Sequence, residues 1–374
     1  KHQEYFKLKA NMYWIPFVAA AYLLLNNSNK NNKKKKKNMA NCNKLFLDYD
    51  SNLNIPKKKK DKLKDSKEVL RARIRKHFKD NHPEYKPEFY IQGSYKMGTT
   101  ILTKDNECDL DDGVYFRREA DVTATTLQKW VKDALDGATS SPVEHRSKCL
   151  RVNYQGEYHI DFPVYIFPKD DNDPSLAVKN NGFEMSDPKE VVEWYKAEKA
   201  KSSQLNRLVK YLKGWGDHKR NKMPSGLAMT ILAANNIQSN DRDDVALKNT
   251  IVKIQETLDD NFECVVPATP GDDLFESYDS IRKNNFLSNL DDFIKDAKQA
   301  LDNEPNQLKA SKLWRKHLGI HFPFGEDEDT DAKEAALKRI SENVLKGTAY
   351  SQSSGTISTE PTKVKNKPHT NYGG

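Results

Sequence analysis

The chain has 374 residues, 36% hydrophobic and 10% aromatic, with a mean hydropathy of −0.88, which is polar yet long enough for two packed lobes. Its formal charge of +8 is concentrated: residues 1–38 hold nine lysines against one acid, and the rest balances at 53 basic against 53 acidic residues. A neutral body argues against a nucleic-acid binder, which needs a basic surface, and four scattered cysteines without C-x-x-C spacing exclude a zinc site or a disulfide framework and fit a reducing, cytoplasmic compartment.

Residues 1–38 read as a leader, non-native or unstructured, with Met39 as the expected start. The apolar run 12–25 is shorter than the about 20 residues a membrane span needs, so a membrane anchor is only the alternative. Leu63, Leu70, Ile74 and Phe78 lie on one face of a long helix, whose other surfaces carry Arg71, Arg73, Arg75, Lys76 and Lys79. A strand over 88–92 feeds Gln92-Gly93-Ser94-Tyr95-Lys96-Met97-Gly98-Thr99. This Gly-Ser turn opens a helix, where backbone N–H groups suit a phosphate.

The next strand, 109–116, reads Asp-Leu-Asp-Asp-Gly-Val-Tyr-Phe. Asp109 and Asp111 are two apart, so both point to one face. Two carboxylates beside a phosphate cradle can hold two divalent ions about 4 Å apart and drive in-line phosphoryl transfer. A helix over 122–135 follows. A hairpin about Gln155-Gly156 joins 148–154 to 158–167 and brings Asp161, the second strand's one acid, into the sheet. An acid within such an aromatic, β-branched strand costs several kcal/mol unless it is paired or binds metal. Cys108, next to Asp109, reads as a core residue, not a nucleophile.

Asp187-Pro188-Lys189-Glu190 is a helix start, with an Asp cap and Pro at the first position. Helices are expected over 204–219, 225–236, 244–259, 285–301, 306–318 and 331–345. The expected domains are a catalytic core with its long helix over 39–185, a helical lobe over 186–346, and a disordered tail over 347–374, too polar to offset its ordering entropy.

A strand, Gly-Ser, a short helix, a D-x-D strand and a later lone Asp resemble the active-site pattern shared by DNA polymerase beta and poly(A) polymerase. The wording GSYKMGT, DLDDGVYF and HIDFPVY is similar to the narrower CD-NTases, named for cGAS and DncV, over roughly residues 63–324. The resemblance implies an α+β, two-lobed polymerase-beta-like fold with a mixed-sheet catalytic lobe and a helical C-terminal lobe. It implies a Mg²⁺-dependent synthase, with two ions on Asp109, Asp111 and Asp161 and Mn²⁺ as a substitute. This would join ATP and another NTP into a cyclic di- or trinucleotide messenger that activates an effector protein in anti-phage defence.

Further roles come from the same resemblance. Gln92, Gly93, Ser94, Tyr95, Lys96 and Met97 would bind nucleotide. Lys210 matches a phosphate-reaching lysine, with Lys213 as second choice. Ser225 matches a phosphate contact and is also a helix cap. Arg151 resembles an arginine near the acceptor nucleotide, or is a salt-bridged sheet residue. Asp273 matches a base-reading Asp, and Gly374 a C-terminus joined to a target amine by a ubiquitin-transfer-like conjugating enzyme. Nucleic acid is not required in this reading. An RNA- or tRNA-directed nucleotidyltransferase is the alternative, disfavoured by the neutral body.

Overall fold

The computed structural model describes residues 38–167 and 173–351 and the short pieces 357–358 and 364–365. Residues 39–327 form one unit with two large hydrophobic cores and a small third cluster of Tyr115, Tyr165, Leu176 and Val178. The sheet core is opened by α2 (Lys57–Asn81), following α1 (Asn43–Asn52). Leu63, Leu70, Ile74 and Phe78 are fully buried along α2, the face expected from their spacing. At about 1.5–3 kcal/mol for each large apolar side chain buried, this stripe fixes the helix against the sheet.

The sheet strands are β1 (Pro87–Gln92), β2 (Asp109–Phe116), β3 (Glu144–His145), β4 (Leu150–Tyr154), β5 (Tyr158–Phe162), β6 (Val164–Ile166), β7 (Ser175–Val178) and β8 (Gly182–Met185). Their order is β3-β4-β5-β2-β6-β7-β8, with β1 also paired to β2. The expected single strand 158–167 is two strands. Pro163 interrupts it, as a residue without an N–H must, and both pieces run parallel to β2. Helix α3 (Gly93–Met97) follows β1, and α4 (Ala124–Leu135), capped by Thr123, covers the sheet. The β7–β8 hairpin is an addition to the elements expected from sequence.

The helical core is built by α5 (Pro188–Lys201), α6 (Leu205–Lys219), α7 (Gly226–Asn236), α8 (Asp243–Asp260), α9 (Ser280–Asp302) and α10 (Gln307–Leu318). Asp187 caps α5 through the Lys189 N–H, with Pro188 leading the helix as expected. One assignment changes. Helix α1 packs into the helical core through Leu45, Phe46 and Tyr49, not with the sheet of the 39–185 segment. Tyr211 and Trp314 surround the Phe46 ring, with centroids at 5.2 and 5.0 Å.

Residues 328–351, with the two short pieces, belong to a second unit. It contains α11 (Thr330–Leu345) and a small sheet of β9 (Tyr350–Ser351), β10 (Ile357–Ser358) and β11 (Val364–Lys365). A tail expected to lack all structure thus carries short strands. The leader residues 1–37 and Gly374 lie outside the described residues. Among the described residues no helix is long and apolar enough to cross a membrane.

Candidate active site

A cleft of about 850 Å³ lies between the sheet and the helical core of residues 39–327. Its floor is set by strand register. Asp109 on β2 is level with His159 on β5, and Asp111 with Asp161. On the far side of β5, Arg151 is level with Asp161 and Asn153 with His159. Level residues leave a sheet on the same face, so the three acids expected from sequence converge on one face. Asp112, the next residue, points the other way. It is fully buried and gripped by Arg71 of α2 at 2.7 and 2.6 Å. One arginine of the basic helix is therefore committed to the sheet.

The Gly-Ser turn is fitted to β2. Gln92, the last residue of β1, is level with Asp111. Gly93 has φ +59°, and a Cβ there would stand 2.2 Å from Asp111 Oδ2, so only glycine lets the turn reach the carboxylate. Ser94 Oγ shares a hydrogen bond with Thr100 Oγ1 at 2.8 Å. Gln92 is held from below: its side-chain N–H donates to Tyr165 OH (3.0 Å) and its Oε1 accepts from Tyr115 OH (3.1 Å).

Gln92, Gly93, Ser94 and Met97 line the cleft. Tyr95 instead packs on the sheet core and Lys96 is exposed, because at about 100° per residue one helical turn carries these two consecutive residues away from the face that lines the cleft. Lys210, expected to reach phosphate, is buried and ion-paired with Asp50 at 2.6 Å. Lys213 lines the cleft in its place. Its Nζ donates to Thr99 O at 2.9 Å. Burial lowers its pKa, against the opposing pull of Asp109 and Asp111. Three residues advance a helix by about 300°, which turns Lys213 from the packed face of α6 to the open one.

Ser225 caps α7, accepting the Ala228 N–H at 3.2 Å, while its neighbours Pro224 and Gly226 line the cleft. Asp273 is not aimed at the cleft. Its Oδ1 accepts from the N–H groups of Cys264 (2.7 Å) and Phe275 (2.9 Å), fixing a loop whose Asp272 and Leu274 face the cleft instead. Arg151 is the salt-bridged sheet residue: Nε and Nη2 donate to the two oxygens of Asp161 at 2.7 and 2.6 Å. Asp217 and Arg220, absent from the residues expected from sequence, form part of the far wall. Burial pushes the Cys108 thiol up to about 11, as suits a core residue.

Burial, with the nearby carboxylates of Asp109 and Asp161, raises the Asp111 carboxyl to about 8. A site that crowds acids this way calls for a cation. Asp109 and Asp111 have no hydrogen-bond partner among the described residues and can supply hard oxygen donors to a divalent ion. Asp161 is turned to Arg151, and among the described residues no three acidic, His or Cys side chains already converge as a metal site. The donor set fits a divalent metal, with the third carboxylate held in reserve by an arginine.

A phosphate turn, paired acids on the neighbouring strand and a third acid level with the second of them define a nucleotidyltransferase. Residues 87–165 match the family model of the DncV-like cyclic GMP-AMP synthase nucleotidyltransferase domain. A c-di-GMP synthase of Roseivirga ehrenbergii is 25% identical over 295 residues, 68% of this chain and 77% of the relative. A cyclic GMP-AMP synthase of Escherichia coli is 23% identical over 237 residues, 49% of this chain and 55% of the relative. The fold is that of the Vibrio cholerae DncV cyclic AMP-GMP synthase (TM-score 0.66, 17% identity, 76% of this chain and 97% of that one). Escherichia coli DncV, solved with 3′-deoxy GTP, is similar (TM-score 0.63, 19% identity, 73% and 93%). The chain is an α+β nucleotidyltransferase of the polymerase-beta-like fold, similar over residues 87–165 to the DncV-like enzymes, as its motifs imply.

Proposed function

We propose that the protein joins ATP and a second nucleoside triphosphate into a cyclic dinucleotide, or a trinucleotide, releasing pyrophosphate at each bond. The observation that carries this reading is the strand carrying Asp109 and Asp111, both without hydrogen-bond partners among the described residues, with Gly93 against Asp111 and Asp161 level with Asp111. The names of the relatives support it: a c-di-GMP synthase and a cyclic GMP-AMP synthase. Vibrio cholerae DncV has been solved with ATP and GTP and with the linear intermediate pppA(3′,5′)pG.

In this mechanism the Gly93–Ser94 turn and Lys213 take the donor polyphosphate from opposite walls. Asp109, Asp111 and Asp161 would hold two Mg²⁺ ions, or Mn²⁺, which neutralise the polyphosphate and acidify the attacking hydroxyl. That hydroxyl attacks the donor α-phosphorus in line, the bond to pyrophosphate breaks, and the hydroxyl proton passes to solvent. The linear product then reverses its ends in the same cleft, and its remaining triphosphate is attacked to close the ring. Arg151 hands Asp161 over as the acceptor arrives.

Nucleic acid is not a cofactor in this reading. The charge balance of residues 39–374 supports that, as does the pairing of Arg71 with the buried Asp112. We assign the protein to the cytoplasm and to anti-phage signalling, its product switching on an effector. A conjugating enzyme of the ubiquitin-transfer kind would act at Gly374. Co-expression with such an enzyme should give a species linked through Gly374 that Gly374→Glu abolishes.

The deciding experiment is incubation of the purified protein with ATP, GTP, CTP, UTP and Mg²⁺, followed by mass spectrometry of phosphatase-resistant products. A cyclic product without added nucleic acid is expected. Product that forms only with duplex DNA or RNA, and declines steeply with salt, would replace this reading with a polyanion-dependent one.

A further inference from the structure

One polar side chain on the cleft floor is left unused by this assignment. His159 stands two residues before Asp161 on β5, so the two side chains share a face. Its ring lines the cleft, half-buried, with no hydrogen-bond partner among the described residues. His145, His317 and His321 differ: each has a ring nitrogen bonded to Gln128, Asp296 or Thr103. An imidazole offers a donor and an acceptor when neutral. Here both are presented to whatever fills the cleft.

Sheet order says which half of the cleft this is. The phosphate turn follows β1, on one edge of β2, whereas β5 and then β4 lie on the other edge. A nucleotide with its phosphates at Gly93 and Ser94 therefore meets its reaction partner across β2, over β5 and β4. Along β5, His159 is about 6.6 Å from Asp161, two residues at about 3.3 Å each. That is the distance from a reacting sugar hydroxyl to the rest of its own nucleoside. Asn153, the level residue on β4, is occupied: its side-chain N–H donates to Glu144 at 2.6 Å.

We infer that His159 is a specificity-determining contact to the acceptor nucleoside, the one whose hydroxyl attacks, and that it makes no contact with the donor triphosphate. This inference rests on the nucleotidyl-transfer reading above.

The test compares the wild-type full chain with His159→Ala and His159→Gln, using ATP and GTP with Mg²⁺. Linear and cyclic products are quantified while each nucleotide is varied against a saturating level of the other. Loss of one such hydrogen bond should raise KM for one of the two nucleotides about three- to tenfold. The effect on kcat should be smaller, and glutamine should restore part of the KM. In an equimolar mixture the base composition of the product should shift. An equal rise in both KM values, or a fall in kcat with both KM values unmoved, would overturn the inference. If the wild type links no nucleotides at all, the underlying reading has failed, and equilibrium titration with non-hydrolysable ATP and GTP analogues decides on His159 separately. Selective weakening of one analogue in His159→Ala then supports the contact, and identical isotherms refute it.

Discussion

Arg151 holds Asp161 by both carboxylate oxygens, at 2.7 and 2.6 Å, on the strand pair next to Asp111. The side chains are only 19% and 10% exposed, so each charge depends on the other. Burial alone would lower the arginine pKa, but the hydrogen bonds to Asp161 lift it above its ordinary value. The site thus crowds two of its three acids together and neutralises the third.

Breaking this pair from one side should destabilise the protein. Arg151→Met strands a mostly buried carboxylate and should cost about 3 kcal/mol in urea unfolding. Adding Asp161→Asn should recover most of the loss. A double mutant no more stable than Arg151→Met would show that the arginine acts through packing alone.

The crowding at Asp111 predicts a pH dependence. The folded carboxyl, at about 8, binds its proton more tightly than the unfolded chain does at 3.8. The folded state therefore holds the extra proton, and this stabilisation, complete below about pH 4, is lost as pH rises through 8. In chelator, Tm should fall between pH 7 and pH 9, a window above the lowered histidines. Asp111→Asn should flatten that slope and abolish pyrophosphate release. A steep slope retained in Asp111→Asn would place the titrating group elsewhere.

The two lysines of α6 should separate binding from stability. Lys213→Met should raise the apparent Kd for ATP about tenfold or more, the loss of one charge-assisted contact, with little change in Tm. Lys210→Met leaves Asp50 unpaired at a largely buried site and should cost about 3 kcal/mol in stability while nucleotide binding persists. Isothermal titration and urea melts on both variants read this directly.

Glycines 93 and 98 provide a matched comparison. Both have positive φ, +59° and +74°, but only at Gly93 would a Cβ strike another group. Gly98→Ala should cost about 1–2 kcal/mol of backbone strain and leave turnover measurable. Gly93→Ala should lose at least a hundredfold in activity, because Asp111 must move.

The site's centre was legible because it is local. The strand 109–116 is found where its Asp-x-Asp spacing and aromatic end put it, and the Gly-Ser turn needs glycine for a reason visible only once Asp111 is opposite. What escaped depends on distant packing. The Leu45, Phe46, Tyr49 spacing of α1 was hidden behind the lysine-rich leader. Lys210 and Lys213 differ by one step of helix phase, which the partner Asp50, 160 positions upstream, resolves. Asp273 reads as a free acid until two backbone N–H groups claim it. Asp112 could not be told from Asp111 by composition, only by the alternation of the strand that carries both.

Helix α1 has a consequence for synthesis. Its bonds reach far along the chain: the Tyr211 hydroxyl to Phe46 O across 165 positions, Cys42 N–H to Asp244 across 202, and the Tyr49 hydroxyl to Leu318 O across 269. At roughly 5–20 residues per second on a ribosome, α1 waits tens of seconds for its last partner. The acids of β2 and β5 emerge well before then, but the wall bearing Lys213 is complete only when α10 is made. A nascent chain therefore carries its charged floor uncovered, with the apolar face of α1 in need of shelter, and a truncated product should be recognised by chaperones before it can consume nucleotide.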